Sequence, residues 1–409
     1  MRLTETPFFG TSVLFMVLSM ATPRAMAGAA PVVLNDTGAT AIGTGTALLH
    51  GALSGNTSIV TTIYWGTSDG GTVKTNWAHA VQLGPRSLGP FTNAVSNLTP
   101  DTLYYYRCYA SNAVDEAWAP ATTNFRTHFD PTAYGSRMKI AFTGYTANTT
   151  LTNFPALVIL STNIPGFRYE DFCGGDLRFT GTNVSRTLNY EIETWNPDGE
   201  SHVWVQVPEL RPSNTCIFAW WASPGQTDPD YALNGAAWES GFQAVYHLNE
   251  NFREGAGGFH ADATANGLDG AQRGNHSVPG VVGRGQEFDG FGDVISTPVV
   301  TDQTGAFGLT FSAWVQPHTA DGNFERLFDA DKGGWDWSLV LDQAGGGNWE
   351  VFWGANQQGS GHTADIDAWQ HIAAVFDPAS TNVRVYKNGV ETIIPNLDFD
   401  GATEAVDIG

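Results

Sequence analysis

The sequence predicts an all-β protein built from β-sandwiches in tandem, and three observations support this fold class. Short segments alternate between apolar and polar residues. In the run HVWVQV at 202–207, three valines share one face, and a histidine, a tryptophan and a glutamine share the other. Turn residues separate such segments, with 47 glycines in the chain. Only 15% of the residues are charged and 12% are aromatic, a balance typical of extracellular β-modules.

Length and charge limit the domain count and the partners. A chain of 409 residues is too long for one ordinary domain, so two to four domains are expected. The formal net charge of −22 disfavours nucleic acid and anionic membrane surfaces, because both require clustered Lys and Arg.

The first 27 residues have the pattern of a signal peptide. Arg2 supplies the positive start, FFGTSVLFMVLSMA is the apolar region, and Ala25-Met26-Ala27 is a small-x-small cleavage site. We therefore expect export to the extracellular space, the cell surface or the periplasm, with an uncleaved anchor as the alternative. No later stretch is apolar enough to span a membrane, so none is expected in the mature chain.

Residues 31–127 contain short strands and one specific motif. The run L-x-P-x-T-x-Y extends from Leu98 to Tyr104 and leads into the strand YYRCYA. It resembles the fibronectin type III signature, which implies an immunoglobulin-like sandwich. In that family the tyrosine hydroxyl bonds back to the loop before its strand, a role that falls to Tyr104.

Residues 137–250 are predicted to form a second sandwich. Within 176–210 we expect three strands, the first ending at Phe179, followed by NYEIETW and HVWVQV. The ordered motifs MKIAFTGY, LTNFPALV, GGDLRF, LNYEIETWN, VWVQVPEL and YHLNE resemble domain-of-unknown-function family 2341. The resemblance implies a jelly-roll-like sandwich of bacterial exported proteins, often beside laminin-G-like domains, with no known activity.

Residues 258–409 resemble a laminin-G-like, concanavalin A-like jelly roll through GVVGRGQEFDGFGDVIS, FGLTFSAWVQP, DAWQHIAAVFD and VRVYKNGVE. Alternation places one set of residues on a common face (Leu309, Phe311, Ala313, Val315) and a second set on another (Ile372, Ala374, Phe376). Asn388-Gly389 predicts a two-residue hairpin turn. Relative to the family the closing strands are missing after Gly409, so we expect a C-terminally truncated or imperfect module with an unpaired edge.

Glu191 and Glu193 in Glu191-Ile192-Glu193 lie on one strand face, about 6.6 Å apart along the backbone. Retaining glycosidases use two carboxyl groups at about that separation. A third same-face carboxylate, usual in jelly-roll glycanases, is absent because Trp195 and Pro197 follow. The alternative interpretation is a solvated strand face, with Trp195 covering the neighbouring sheet.

Tryptophans are the candidate sugar platforms, although tryptophan is more often a core residue. In the second module the candidates are Trp204, Trp220, Trp221 and Trp238. In the last module the ligand-stacking candidates are Trp335, Trp337 and Trp353, with Trp349 posing the same question. Trp314 and Trp369 belong to core-strand motifs of the resembled family, so we expect them outside any site. His371 is expected to be a packed strand histidine.

Calcium is the cofactor that the laminin-G-like resemblance implies, bound in loops at the sandwich rim. The predicted ligands are Asp262, Asp269, Asp289 and Asp293. Asp329 and Asp331, two residues apart, are a further candidate pair. None completes an EF-hand loop, and turns also favour Asp and Gly.

The three cysteines do not indicate redox or zinc chemistry. Cys108 is predicted to be a buried apolar residue. Cys173 and Cys216 form either a disulfide after export or two free thiols.

The sequence as a whole favours a non-catalytic recognition or adhesion protein at a bacterial surface, with polysaccharides or cell-surface glycans as the leading partners. Two alternatives stay open. One is a glycoside hydrolase or lyase that uses Glu191 and Glu193, and the other is a structural stalk within a larger surface protein.

Overall fold

The computed structural model confirms the all-β prediction. Strands account for 52% of the structure, and no helix in the described part of the chain reaches seven residues. The described residues are 30–55, 59–113, 115–212, 215–238, 241–253, 257–302, 308–320, 325–330, 338–341, 346–353, 356–377, 379–395 and 403–409. The predicted signal peptide lies outside them. The chain divides into two compact units, 1–128 and 129–409.

The first unit is a two-sheet sandwich. Its strands are β1 (Val32–Leu34), β2 (Ala39–Thr40), β3 (Thr46–Ser54), β4 (Ile59–Gly66), β5 (His79–Arg86), β6 (Gly89–Ser96), β7 (Leu103–Ser111), β8 (Glu116–Trp118) and β9 (Thr123–Arg126), with a 3-10 turn at Lys74–Asn76. One sheet has the order β1-β3-β2 with β6 on β3, and the other has β5-β4-β7-β8 with β9 on β7. Their inward residues, among them Leu49, Ile63 and Tyr106, form one core.

The predicted tyrosine corner is present in this unit. The Thr99 backbone N–H donates to the Tyr104 hydroxyl oxygen at 3.0 Å, and Tyr104 is only 6% exposed. The corner therefore ties the loop to the strand that follows it, as the motif implies.

Replacing Tyr104 by Phe is expected to lower the free energy of unfolding of the first unit by about 1 kcal/mol, because the Thr99 amide loses its acceptor. Chemical denaturation of the full chain measures the loss. Tyr105→Phe is the matched control, since Tyr105 lies on the opposite strand face and is partly exposed. Equal losses in the two variants would contradict a specific role for the corner.

The second unit begins with a sandwich whose three predicted strands are confirmed. Its strands are β10 (Ser136–Phe142), β11 (Leu151–Ser161), β12 (Arg178–Thr180), β13 (Tyr190–Thr194), β14 (Glu200–Leu210) and β15 (Thr215–Trp221), with 3-10 turns at Pro131–Ala133, Tyr169–Asp171 and Asp230–Ala232. The sheets β10-β15-β12 and β11-β14-β13 enclose a core to which Phe179, Val205 and Ile217 contribute.

The other sandwich of this unit, which is the third sandwich of the chain, consists of a larger and a smaller sheet. Its strands are β16 (Gly258–His260), β17 (Gly270–Arg273), β18 (His276–Pro279), β19 (Arg284–Glu287), β20 (Val294–Asp302), β21 (Leu309–Val315), β22 (Glu325–Asp329), β23 (Ser338–Leu341), β24 (Asn348–Trp353), β25 (Asn356–Thr363), β26 (Gln370–Asp377), β27 (Asn382–Lys387), β28 (Val390–Ile394) and β29 (Thr403–Ile408). The eight-stranded sheet has the order β16-β17-β20-β29-β22-β23-β24-β25, the four-stranded sheet has β21-β26-β27-β28, and β18-β19 is a separate hairpin.

Both predicted alternations in this sandwich are confirmed. Ile372, Ala374 and Phe376 are buried, and Leu309 and Phe311 pack on the same core. Asn388 and Gly389 connect β27 to β28 with φ values of 50° and 81°, the conformation that favours Asn-Gly. Strand β29 pairs with β20 and β22. The prediction that closing strands are missing stays a prediction.

Candidate functional site

Glu191 and Glu193 lie on β13, which pairs with β14. The register passes from Ile192 opposite Val203 to Thr194 opposite His202, so a β-bulge falls at Glu193. A bulge bends its strand and changes the direction of the side chain. The two carboxylates converge on the ring of His247. His247 lies 26 residues after the end of β15, the last strand of the second sandwich.

Two indoles and one imidazole surround these carboxylates. Trp238 Nε1 donates to Glu191 Oε2 at 2.6 Å, and Trp204 Nε1 donates to Glu193 Oε2 at 2.7 Å. His247 Nε2 lies 3.3 Å from Glu191 Oε1, and its Nδ1 lies 3.3 Å from Glu193 Oε2. The side chains of Glu191 and Glu193 are 23% and 2% exposed. The interpretation of this pair as a solvated strand face is therefore wrong, because residues far along the chain cover it.

Burial and charge oppose each other in this cluster. Burial raises the pKa of Glu193, and the nearby His247 and the Trp204 hydrogen bond offset this only in part. Burial also disfavours the charged form of His247, but the two glutamates outweigh it and its pKa is raised. The cluster therefore favours an imidazolium held between two carboxylates.

The Glu193 carboxylate is closed to substrate in this arrangement. A glycosidase carboxyl group must reach the glycosidic bond, whereas Glu193 is 2% exposed and accepts an indole hydrogen bond. We derive no hydrolytic step from Glu191 and Glu193.

The four stacking candidates of the second sandwich, Trp204, Trp220, Trp221 and Trp238, offer no open stacking face. Trp220 and Trp221 are 5% and 2% exposed and belong to the interior. Trp204 and Trp238 are half-buried and bonded to the glutamates. In the third sandwich Trp349 is buried and donates to Gln370 Oε1 at 3.1 Å. Trp335, Trp337 and the side chain of Trp353 lie outside the described residues.

Trp314 and Trp369 are expected outside any site because they belong to core-strand motifs, but neither is a core residue in the structure. Trp314 is 51% exposed and Trp369 is 37% exposed. Because Leu309, Phe311 and Val315 face the core, strand alternation places Trp314 on the opposite side of the sheet. The two-residue period of the strand, and not the resemblance to core-strand motifs, decides on which side of the sheet Trp314 lies.

The solvent side of the four-stranded sheet is the second candidate site, and we call it the outer face. Its residues are Thr310, Ser312, Trp314, His371, Ala373, Val375, Arg384, Tyr386, Glu391 and Ile393. Trp314 pairs with His371 and Ser312 pairs with Ala373 across β21 and β26. In the same row across the sheet, Ala373 pairs with Tyr386 on β27, and Tyr386 pairs with Glu391 on β28.

The outer face combines an aromatic wall with a polar end. The Trp314 and His371 rings meet edge to face with centroids 5.4 Å apart, which confirms His371 as a packed strand histidine. Burial lowers the pKa of His371, so the neutral imidazole is favoured. The Tyr386 hydroxyl donates to Glu391 Oε1 at 2.6 Å, and Arg384 Nε lies 3.5 Å from the same oxygen.

The predicted calcium ligands do not form a common site. Asp262 Oδ1 accepts from the amides of Val245 and Thr264, and its Oδ2 accepts from the Thr264 hydroxyl and the Leu268 amide. Asp269 accepts from the amide of Asp262.

The second predicted aspartate pair is also engaged in turns. Asp293 accepts from the Asp289 amide, and Asp289 accepts from the Phe291 amide. Asp329 bonds Ser338 and Arg326, and Asp331 lies outside the described residues. Among the residues with described positions, no three His, Cys, Asp or Glu side chains converge as a metal site. These carboxylates do not fit calcium as arranged, and calcium stays a prediction.

The cysteines are free thiols in the structure. Cys108 is buried, Cys173 is exposed and Cys216 is partly exposed. The prediction that Cys108 is buried is confirmed, and burial raises its pKa to about 12, which disfavours the thiolate form. Within the described ranges no helix has the length and apolarity that a membrane crossing needs.

The fold and these sites define a multidomain β-sandwich protein. Residues 288–398 match the Laminin_G_3 family, described as the concanavalin A-like lectin/glucanases superfamily. This match supports the predicted jelly roll and includes the whole outer face. No curated protein matches the chain.

Among solved structures, the crystal structure of chicken CNTN1 FN1-FN3 domains is similar over 88% of this chain and 97% of that chain. The identity is 8% and the TM-score is 0.16. The resemblance of residues 137–250 to domain-of-unknown-function family 2341 stays a prediction.

Proposed function

We propose that this protein is an exported, non-catalytic recognition protein that binds glycans on the outer face of its four-stranded sheet. The observation that carries the proposal is Trp314, an indole 51% exposed on a regular strand. The match of residues 288–398 to a superfamily described as lectins and glucanases supports this ligand class.

The chemistry of the outer face suits a sugar ring. A pyranose has an apolar C–H face and a rim of hydroxyl groups, so it needs an aromatic surface beside hydrogen-bonding groups. Trp314 supplies the surface, and Ser312 is exposed on the same strand, whereas Ala373 opposite it is only 9% exposed. Tyr386 lies two strands away, about 10 Å at ordinary strand spacing. Tyr386 and Glu391 can meet the hydroxyls of a bound oligosaccharide.

Replacing Trp314 by Ala is expected to weaken glycan binding about tenfold, because an aromatic stacking contact contributes about 1 kcal/mol or more. The measurement is titration calorimetry with the polysaccharide that scores highest on a glycan array, probed with and without calcium. The fold should persist, since Trp314 lies outside the core.

Trp195→Ala is the control for this experiment. Trp195 is also a partly exposed indole, at 38%, but it lies in the other sandwich of the same unit. Binding should be unchanged in this variant. An array that shows no binding with or without calcium would overturn the proposed function. Equal losses of glycan affinity in the two variants would show that the binding site is not on the outer face.

A further inference from the structure

The connector between the two sandwiches of the second unit is bonded to the third sandwich on both sides of His247. Before it, the Val245 amide donates to Asp262 Oδ1 at 3.0 Å and the Val245 carbonyl accepts from the Ala263 amide at 2.8 Å. After it, Gln286 Nε2 donates to the carbonyls of Leu248 and Glu250, both at 3.0 Å. The connector backbone therefore belongs physically to the third sandwich.

The His247 side chain points the other way, into the second sandwich. It lies between Glu191 and Glu193 and stacks on Trp204, with ring centroids 6.1 Å apart. Leu248, the next residue, has a φ of 55°, a left-handed conformation that is unfavourable for leucine. The strained backbone turns the ring towards one sandwich while its neighbours stay bonded to the other.

Glu191 and Glu193 hold the ring from both sides, each with a carboxylate oxygen 3.3 Å from a ring nitrogen. His247 Nε2 is buried and has no aligned hydrogen-bond partner, although Glu191 Oε1 is 3.3 Å away. The other titratable groups near the cluster are His202 on β14 and Glu250 in the connector. Glu250 is itself fixed by His260 at 2.7 Å and by the Ala261 amide at 2.8 Å.

We propose that Glu191, His247 and Glu193 form a protonation-dependent latch that holds the third sandwich against the second. With the imidazolium present, one positive charge is shared by two carboxylates. When the ring loses its proton, two carboxylates remain beside a neutral ring and the latch weakens. This role is independent of glycan binding at the outer face.

The direction of the pH effect follows from the raised pKa of His247. A raised pKa in the closed state means that the stabilisation is complete below the ordinary value of about 6.5 and is lost as pH rises through the higher value. The raised pKa of Glu193 acts in the same direction at lower pH. For one proton, the opening equilibrium can increase by at most about tenfold per pH unit.

The indole N–H groups of Trp204 and Trp238 report on the latch directly, since they donate to its two carboxylates. We expect their solvent exchange in the full chain, measured by NMR and corrected for intrinsic rates, to accelerate between pH 6 and 9. The Trp349 indole, bonded to Gln370, is the internal reference and should not change with them. In His247→Gln the exchange should be fast throughout and lose this pH dependence.

His276→Gln is the matched control, because His276 forms an exposed pair with Glu287 at 3.4 Å. It should retain the native exchange profile. Native-like slow exchange in His247→Gln across the whole range would overturn the latch. If that variant does not fold, the titration of His247 in the unmodified protein decides: a midpoint above about 6.5 supports the proposal, and a midpoint at or below it refutes it.

Discussion

Arg178→Met is expected to lower the free energy of unfolding of the second sandwich by about 3–5 kcal/mol. Arg178 is 4% exposed. Its Nη1 donates to the carbonyls of Gly175 and Leu177, and its Nη2 donates to that of Thr227, all at 2.8 Å. Methionine retains the unbranched stem but leaves these three carbonyls, of which that of Leu177 is buried, without their charged donor.

Denaturant unfolding of the full chain, followed by tryptophan fluorescence, measures this loss. Arg168→Met is the control, because Arg168 is an exposed residue that pairs with Glu170 and Asp171. That variant should unfold with the wild-type midpoint, as is common for surface ion pairs. A small effect at Arg178, similar to that of Arg168, would show that water replaces the guanidinium without cost.

Gly235→Ala is expected to cost about 3 kcal/mol and to disturb the contact between the two sandwiches of the second unit. Gly235 has a φ of +76°, and an added Cβ would lie 2.4 Å from the Ala265 nitrogen and 2.5 Å from the Thr264 carbonyl carbon. Both neighbours are backbone atoms, so no rotamer change can relieve the clash. Strain in the left-handed region adds to it.

Gly225→Ala separates these two contributions. Gly225 has a φ of +83°, but an added Cβ would meet no atom within 4 Å. It should therefore cost only the conformational strain, about 1–2 kcal/mol. Thermal unfolding of both variants gives the difference, and equal costs would show that the segment at 263–265 moves away easily.

Local patterns predicted much of the fold correctly. Alternation identified the buried faces of β21 and β26, the Asn388-Gly389 pair identified a hairpin, and the L-x-P-x-T-x-Y run identified the corner at Tyr104. Each of these features depends on neighbouring residues and on the period of a strand. Such information is present in any short segment of the sequence.

The candidate sites were harder to predict. The sequence placed Glu191 and Glu193 close together, but it did not indicate which distant residues would cover them. Trp238 bonds Glu191 from 47 residues further along the chain, and His247 lies beside Glu193 from 54 residues further along. For Trp314 the alternation was correct, and only the family resemblance suggested the core.

The sequence by itself determined which side chains share a strand face, because that depends only on the two-residue period of an extended backbone. The tertiary structure alone decided which of those faces meet solvent, which meet a core and which are closed by a distant segment. The physical reason is that burial and pKa depend on the groups that approach through space. The carboxylates of Glu191 and Glu193 therefore acquired their character from His247. The 51% exposure of Trp314 likewise depends on which groups approach that side of its sheet.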